Sequence, residues 1–256
     1  MSLRVTSWNL NGLDDTRLDE RSEAACLRLL LRSDPPDVVL LQEVVRRSWH
    51  AHLKHHFAAA GYLAVPPDPT TSMHEYFVLA FVRNTHSVHG ATFEPFANSG
   101  MGRGLLAVEV SRTEPEGPPV WVATAHLESG RESADVRVAQ LSHCLQRLLE
   151  REGPGVFAGD LNLRVAEEKR VPELARVTDA FEAAGAPKAD RVTWPSLPQP
   201  WQKGRSGGAR FDRAYLHRLT LERFARIGDL PGPVIDEPPS DHVGIEVDVS
   251  VEDAAG

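Results

Sequence analysis

The sequence holds only two cysteines in 256 residues, Cys26 and Cys144, each in an apolar stretch with helical spacing. That excludes a disulfide-stapled secreted fold and a thiolate cluster of zinc-ligand spacing, and it favours reduced, buried thiols in a cytoplasmic protein. A long hydrophobic run is also missing, so no segment qualifies to span a bilayer. After Met1-Ser2 the chain enters the alternating stretch Leu3-Arg4-Val5-Thr6-Ser7-Trp8 without a basic leader or a hydrophobic region, and no export signal is expected. Basic charge is short as well: 28 Lys and Arg against 36 Asp and Glu leave a net charge of −8. Bulk attraction to nucleic acid is thereby excluded, whereas a local basic groove, or an acidic cluster around a divalent cation, is not. No repeat and no linker interrupt the pattern, so residues 1–256 read as a single domain, expected to be a monomer with no membrane partner.

What the sequence does have is a set of short apolar runs that end on polar residues. The clearest is Gly155-Val156-Phe157-Ala158-Gly159-Asp160-Leu161-Asn162-Leu163-Arg164. Val156 to Ala158 reads as a short buried strand, and Asp160 and Asn162 then flank a single leucine. Residues two apart in an extended chain share a face, so a carboxylate and a carboxamide are expected side by side at a strand end. Such a pair suits the holding of a water or a metal, although taken alone an ordinary Asp/Asn turn is the better account.

Residues 3–8 and 37–43 read as further strands, ending on Asn9 and on Gln42-Glu43. Residues 21–32 and 48–60 carry helical periodicity, the second stopped by Gly61. Residues 76–82, 91–96, 105–110 and 120–126 read as strands of an antiparallel sheet. The longest helical pattern spans 132–151, with Val138, Leu141, Leu145 and Leu148 on one face, and a shorter one spans 173–184. Residues 186–209 are rich in Pro, Gly, Trp and basic residues, a loop long enough to suggest function. Strands over 210–216, 219–224 and 242–249 complete the chain. Strands with helices between some of them imply two packed sheets with helices outside.

The polar residues at strand ends are Asn9, Gln42-Glu43, His126-Leu127-Glu128-Ser129, Asp160-Leu161-Asn162, Arg210-Phe211-Asp212-Arg213 and Ser240-Asp241-His242. Singly, each has a plain explanation: Glu43 a helix-start carboxylate, Asp241-His242 a turn pair, His126 a satisfied buried histidine. Together they supply oxygen ligands for a hard cation, a base for water and a donor for developing charge, which is what metal-assisted phosphoester hydrolysis needs.

Thr6-Ser7-Trp8-Asn9, Leu41-Gln42-Glu43, His126-Leu127-Glu128, Gly159-Asp160-Leu161-Asn162, Phe211-Asp212 and Ser240-Asp241-His242 occur in this order. The set resembles the motifs of the endonuclease/exonuclease/phosphatase superfamily, the group of deoxyribonuclease I, abasic-site endonucleases and inositol-polyphosphate phosphatases. The resemblance runs from Leu3 to about Val249. Met101-Gly102-Arg103, His126 to Glu132, Asp160 to Arg164, Thr193-Trp194, Arg210 to Arg213 and Pro239 to His242 are similar to the 5′-tyrosyl-DNA phosphodiesterase branch. Gly130 stands where that branch is expected to have Thr, Val243 where a bulky aromatic is expected, and no ubiquitin-binding extension is expected before Leu3.

The resemblance implies a four-layer α/β sandwich, two packed mixed or antiparallel sheets with helices outside, and a site at one end of the sheets. It implies Glu43 as the main Mg²⁺ ligand, with Asn9 and Asp241 close enough to share the cation and Mn²⁺ able to substitute. It further implies that Asp160 orients and deprotonates the attacking water, with Asn162 holding that water or a phosphate oxygen. His242 would stabilise charge on the phosphoryl oxygens, and Asp212 would fix its tautomer. His126, Ser129 and Arg131 are expected near the phosphate. Arg103 reads either as a contact to the nucleic-acid backbone or as a solvated turn arginine; Trp194 reads either as a base-stacking platform or as loop packing. Lys203, Arg205 and Arg210 would supply local positive charge.

The function so implied is Mg²⁺-dependent hydrolysis of phosphodiesters at DNA 5′ ends, a repair activity on single-stranded or frayed ends. The alternatives are a nuclease or a phosphoesterase for a small substrate such as an inositol phosphate or sphingomyelin. A catalytically inactive nucleic-acid-binding module should have lost Glu43, Asp160 or His242, and all three are present.

Overall fold

The computed structural model describes residues 2–66, 74–114, 116–197 and 207–251. In chain order its strands are β1 (Ser2–Asn9), β2 (Val38–Val45), β3 (Tyr62–Val65), β4 (Tyr76–Arg83), β5 (His86–Pro95), β6 (Gly104–Arg112), β7 (Val120–Ala125), β8 (Gly155–Asp160), β9 (Thr178–Asp179), β10 (Asp212–His217), β11 (Leu219–Ile227) and β12 (Gly244–Val251). They form two six-stranded sheets, ordered β11-β12-β1-β2-β4-β3 and β5-β6-β7-β8-β10-β9. Each sheet is built around one parallel pair, β1–β2 and β7–β8, flanked by antiparallel partners. A parallel pair needs a crossover, and helices α1 (Leu18–Leu30) and, further along, the 16-residue Ala134–Leu149 supply the two.

Strand periodicity then sorts the side chains into layers. Leu3, Val5, Val38 and Leu40 of the first sheet share a core with Val108, Val122, Val156, Ala158 and Leu216 of the second. On the opposite face of the first sheet lie α1 and a helical run made of α2 (Arg46–Ser48), a π-helical segment (Trp49–Leu53) and α3 (Lys54–Ala59). There Ala25, Cys26, Leu29, Leu53 and Phe57 pack on Val39, Leu41, Leu79 and Phe81. The Ala134–Leu149 helix, α4, sets Leu141, Cys144, Leu145 and Leu148 on Trp121, Ala123 and Phe157 outside the second sheet. The result is a four-layer α/β sandwich. Among the described residues, no helix is long and apolar enough to cross a membrane.

Three expectations from sequence are corrected. The strand at residues 76–83 is not part of one antiparallel sheet with its successors: β4 pairs with β2 and β3, whereas β5, β6 and β7 belong to the second sheet. Alternation identifies a strand and its buried face, but the partner is chosen by distant chain segments. Strand β3 was not expected at all, being four residues long. Residues 173–184 are not one helix. They break into a 3₁₀ turn (Pro172–Arg176), the short β9 and a one-turn helix (Ala180–Ala183), because Asp179 caps the backbone N–H groups of Phe181 and Glu182.

The outer face near β12 carries a charge cluster that ties strands together. The Glu246 carboxylate, 1% exposed, accepts from Thr6 Oγ1 (2.8 Å), from both terminal nitrogens of Arg32 (2.6 and 2.9 Å) and from Arg223. Burial alone would push its pKa up; Arg32, Thr6 and Arg223 outweigh that and hold it below 4.5. A folded-state value lower than the unfolded one means the contribution is complete at neutral pH and fades as pH falls through that folded value. Glu246→Gln should therefore cost about 1.5–3 kcal/mol at pH 7, the scale of charged hydrogen bonds. In thermal melts the deficit relative to the parent should shrink below pH 4.5; equal melting temperatures at pH 7 would remove Glu246 as a clasp.

Candidate active site

In the two parallel pairs the column of side chains facing the inter-sheet core turns polar toward the same rim. It runs Leu3, Val5, Ser7, Asn9 in β1 and Val38, Leu40, Gln42 in β2; past β7 it runs Val120, Val122, Thr124, His126, and in β8 Val156, Ala158, Asp160. Strand β10 runs antiparallel to β8 and begins at the same rim, with Asp212 opposite Asp160 in register. His242 lies just before β12, which is antiparallel to β1. Six separate strand ends thus meet in one place. Gln42 joins the sheets beneath them, its Nε2 donating to Ser7 Oγ (3.1 Å) and Thr124 Oγ1 (2.9 Å).

Asp160, 1% exposed, is the hub. Its Oδ2 accepts from Asn9 Nδ2 (2.9 Å) and lies 3.2 Å from His126 Nε2 and 3.6 Å from His242 Nε2; its Oδ1 accepts from the Asn162 backbone N–H (3.0 Å). The glycine before it is required by packing: a Cβ on Gly159 would stand 2.1 Å from the Ala125 carbonyl oxygen of the neighbouring strand. Burial alone would raise the Asp160 pKa. His242, His126 and the Asn9 amide outweigh it and hold the carboxyl far below the ordinary range, so it is an anion throughout the neutral region.

His242 stands between two carboxylates. Its Nδ1 meets Asp212 Oδ2 at 2.9 Å, and its Nε2 faces Asp160. Burial lowers its pKa, but Asp212 and Asp160 prevail and raise it to about 10, leaving an imidazolium at neutral pH. The surrounding loop is pinned on three sides. Trp8 Nε1 donates to the His242 carbonyl (2.9 Å), Ser240 Oγ accepts the His242 N–H (3.1 Å), and the same hydroxyl donates to the Asn9 carbonyl (2.7 Å). Thr193 Oγ1 accepts the N–H groups of Phe211 and Asp212 at 3.0 and 3.1 Å.

Glu43 reaches this cluster by an irregularity. In a regular strand it would point, like Leu41 and Val39, toward the outer helices. The pairing of β2 with β4 slips between Leu41 and Val44, and Glu43 takes φ 51°, in the left-handed region. The bulge turns its carboxylate inward to 3.7 Å from His126 Nε2. Gly12 allows the turn, since a Cβ there would sit 2.1 Å from the Glu43 carbonyl oxygen. Glu43, Asp241 and Trp194 are half-buried and form a rim above the buried floor of Asn9, His126, Asp160 and His242. Trp194 stacks on Phe211, with ring centroids 5.4 Å apart, and its Nε1 donates to Asp241 Oδ2 (2.9 Å).

Several expected site residues have partners that their sequence did not show. Asn162 does not stand beside Asp160 in an extended strand: β8 ends at Asp160, Asn162 adopts φ 48°, and its Nδ2 donates to the Leu127 carbonyl (3.2 Å). Asn9 is fully buried with both ends of its amide engaged, Nδ2 on Asp160 and Oδ1 on the Asn11 N–H, so it braces Asp160. Arg103 is not a solvated turn arginine: 7% exposed, it donates to the Leu127 carbonyl and to Tyr76 Oη (3.1 Å). Arg210 is spent on Asp179 (2.8 Å to each oxygen) and on the Phe181 ring, 4.8 Å away. Ser129, half-buried, donates to Met101 Sδ (3.4 Å), and Arg131 is exposed. In the loop 186–209 a bridge pairs Trp194 with Ala209; Trp201, Lys203 and Arg205 lie outside the described residues.

Other residues that organise the site were assigned no role from sequence. Gln42, Thr193 and Ser240 sat inside recognisable motifs, which was their only signal. Arg21 had none, because an arginine in a helical pattern reads as a solvated face. It is buried, and its guanidinium donates to the carbonyls of Leu10, Asn11, Asp14, Thr16 and Pro239.

Comparison with known proteins agrees with this arrangement. Residues 6–242 match the sequence pattern of the Endonuclease/Exonuclease/phosphatase family. The chain is 33% identical over 244 residues to a 5′-tyrosyl-DNA phosphodiesterase of Caenorhabditis elegans, covering 87% of this chain and 61% of the relative. It is 34% identical over 223 residues to tyrosyl-DNA phosphodiesterase 2 of Mus musculus, covering 85% and 55% respectively. The chain thus spans less than two thirds of either relative. Among solved structures, D. rerio TDP2 complexed with single strand DNA product superposes with a TM-score of 0.85 at 30% identity, covering 98% of this chain and 99% of that one. By sequence and by fold, this chain belongs to the endonuclease/exonuclease/phosphatase family.

Proposed function

We propose that the chain is a single-domain, monomeric, metal-dependent phosphodiesterase acting on phosphodiesters at single-stranded or frayed DNA 5′ ends, in the manner named for its tyrosyl-DNA phosphodiesterase relatives. The observation that carries the reading is the line Asp160–His242–Asp212: a buried anion 3.6 Å from a ring nitrogen whose other nitrogen is held by a second carboxylate at 2.9 Å. It offers a hydrogen-bond acceptor for the attacking water and a fixed cation for a phosphoryl oxygen within one cleft. The free, buried state of Cys26 and Cys144 supports a reducing cytoplasmic setting.

The residues fit a hard divalent cation. Glu43 and Asp241 present carboxylates on the half-exposed rim, an all-oxygen set with no thiolate, where a cation can keep most of its waters. Glu43 is the principal holder, Asp241 the second, and Mn²⁺ can replace Mg²⁺. When bound there, the cation supplies charge neutralisation to the phosphodiester.

The chain's own residues do the rest. Asp160, kept ionised and rigid by Asn9 and the Asn162 N–H, accepts a hydrogen bond from the attacking water and orients it. Its low proton affinity makes it chiefly an orienting acceptor. His242, charged, directs its Nε2–H toward a non-bridging phosphate oxygen, while Asp212 keeps the ring from turning. His126, whose Nδ1 is buried without a hydrogen-bond partner, makes its polar contacts through Nε2 between Asp160 and Glu43. Trp194, clamped by Asp241 and Phe211, is a rigid wall on which a base or an aromatic leaving group can stack.

A substrate panel tests the reading: 5′-phosphotyrosyl and 3′-phosphotyrosyl single strands, an abasic duplex and an inositol phosphate, each with Mg²⁺ and with EDTA. The 5′ adduct should turn over fastest, EDTA should abolish turnover, and Glu43→Gln should weaken both metal affinity and rate. Full turnover in EDTA, or preference for the inositol phosphate, would contradict the proposal.

A mutant cycle tests the pair. If Asp212 acts only through His242, the double alanine variant should be hardly slower than His242→Ala alone. Additive losses would show that the two act independently. For Asp160→Asn we expect a fall in kcat of several orders of magnitude; a variant within about tenfold of the parent, or ~1.4 kcal/mol of barrier, would deny Asp160 the water.

A further inference from the structure

Four of the eleven histidines fall within residues 50–56. Two of them, His52 in the π-helical segment and His56 one turn later in α3, face the same way, their rings within 8° of parallel and 6.5 Å apart. Both converge on one oxygen of Glu23 from the neighbouring α1: Glu23 Oε2 lies 3.0 Å from His52 Nδ1 and 2.7 Å from His56 Nε2. The three side chains are 17%, 34% and 30% exposed, a notch open to solvent but backed by packed helices.

We propose that Glu23, His52 and His56 form a second metal site, for a borderline transition cation of the Zn²⁺ class, with water completing the coordination. The donor set is two imidazole nitrogens and one carboxylate oxygen, all within 4.8 Å of one another. Nitrogen-rich sets select zinc-class ions, whereas the oxygen-only rim at Glu43 selects Mg²⁺. Bonds of about 2.0–2.2 Å at tetrahedral angles put ligand atoms roughly 3.3–3.6 Å apart. Glu23 Oε2 would therefore draw back from each ring nitrogen by less than about 1 Å, and the two nitrogens, now within 4.8 Å of each other, would settle at the same spacing.

The surroundings of His52 point the same way. His52 Nε2 lies 3.5 Å from Asp19 Oδ1, one turn before Glu23 on α1. A carboxylate on the far nitrogen of a ligating histidine is the usual outer-sphere partner: it keeps the proton on Nε2 and leaves the Nδ1 lone pair as donor. That lone pair would then face the Glu23 carboxylate, an opposition that an intervening cation turns into attraction. The ion would pin α1 to the helical run that directly follows β2. Its effect belongs to stability, separate from the chemistry at Asp160.

The test uses untagged protein with Glu43→Gln, which removes the principal rim ligand. Titration with Co²⁺ should give the visible absorption of a tetrahedral nitrogen-oxygen site at one equivalent. Zn²⁺ should bleach it and raise the melting temperature, and excess Mg²⁺ should do neither. Asp19→Asn should weaken Zn²⁺ binding by about 10–100-fold, the usual loss for an outer-shell partner. His52→Ala and His56→Ala should each weaken it further and erase the band; circular dichroism of the metal-free variants checks that they fold. No band in the parent, or a band and Zn²⁺ shift that survive His56→Ala, would overturn the site. A melting temperature that responds to pH but not to Zn²⁺ would reduce the trio to a hydrogen-bonded clasp and overturn it equally.

Discussion

Burying the Asp160 carboxylate without neutralising it is the constraint around which the rim is arranged. An isolated anion moved into a protein interior costs several kcal/mol, and the group would simply take up a proton if nothing opposed that. Here Asn9, His126 and the Asn162 N–H are set against its two oxygens, with the His242 imidazolium 3.6 Å away. Those neighbours come from β1, the end of β7, the loop after β8 and the approach to β12, so the carboxylate also cross-links the two sheets. Removing any one of them leaves a buried charge less well compensated, which couples the local geometry to the stability of the whole sandwich.

The fold brings these groups together by parity. Side chains on a strand alternate faces, so an inward column that begins apolar at one end stays inward to the other. Where the sheets pack tightly, Val and Leu fill the column; at the rim the same column positions carry Asn9, His126 and Asp160. Because β1–β2 and β7–β8 are parallel pairs, four carboxyl ends open on the same side, and the antiparallel β10 and β12 start there. Gln42, one step below, hydrogen-bonds to both sheets where the core changes from apolar to polar.

This logic also explains what could be read from sequence. An apolar run that ends or begins on Asp or His marks both a strand and its rim, so Asp160, Asp212 and His242 were legible as a group before any distance was known. Glu43 was legible as a strand-end acid but not as an inward one, since a regular strand would turn it away; the bulge that re-aims it depends on pairing with β4. The placement of Asn162 failed for a related reason: the strand stops two residues earlier, and a left-handed backbone sends its amide to Leu127. The internal partners of Arg103 and Arg210 were not legible because an arginine's partners are tertiary. Leu127 and Asp179, which hold them, are remote in sequence and leave no local pattern.

Arg21 shows how an acidic rim can be kept intact and open. Two carboxylates at the rim, Glu43 and Asp241, and a third on the floor repel one another unless a cation lies near. A surface arginine forming ion pairs would relieve the repulsion but would also occupy the oxygens that a metal needs. Arg21 avoids this by lying underneath: its guanidinium directs its donors to backbone carbonyls, those of Leu10, Asn11, Asp14, Thr16 and Pro239. Burial lowers its pKa, while the fields of Asp14, Asp241, Glu237 and Glu43 act in the other direction, so its charge is felt at the rim through space. The same contacts fix the loop after β1 against the loop before His242. A lysine could supply the charge but has three donors and no planar fork, so it could not hold the two loops in register.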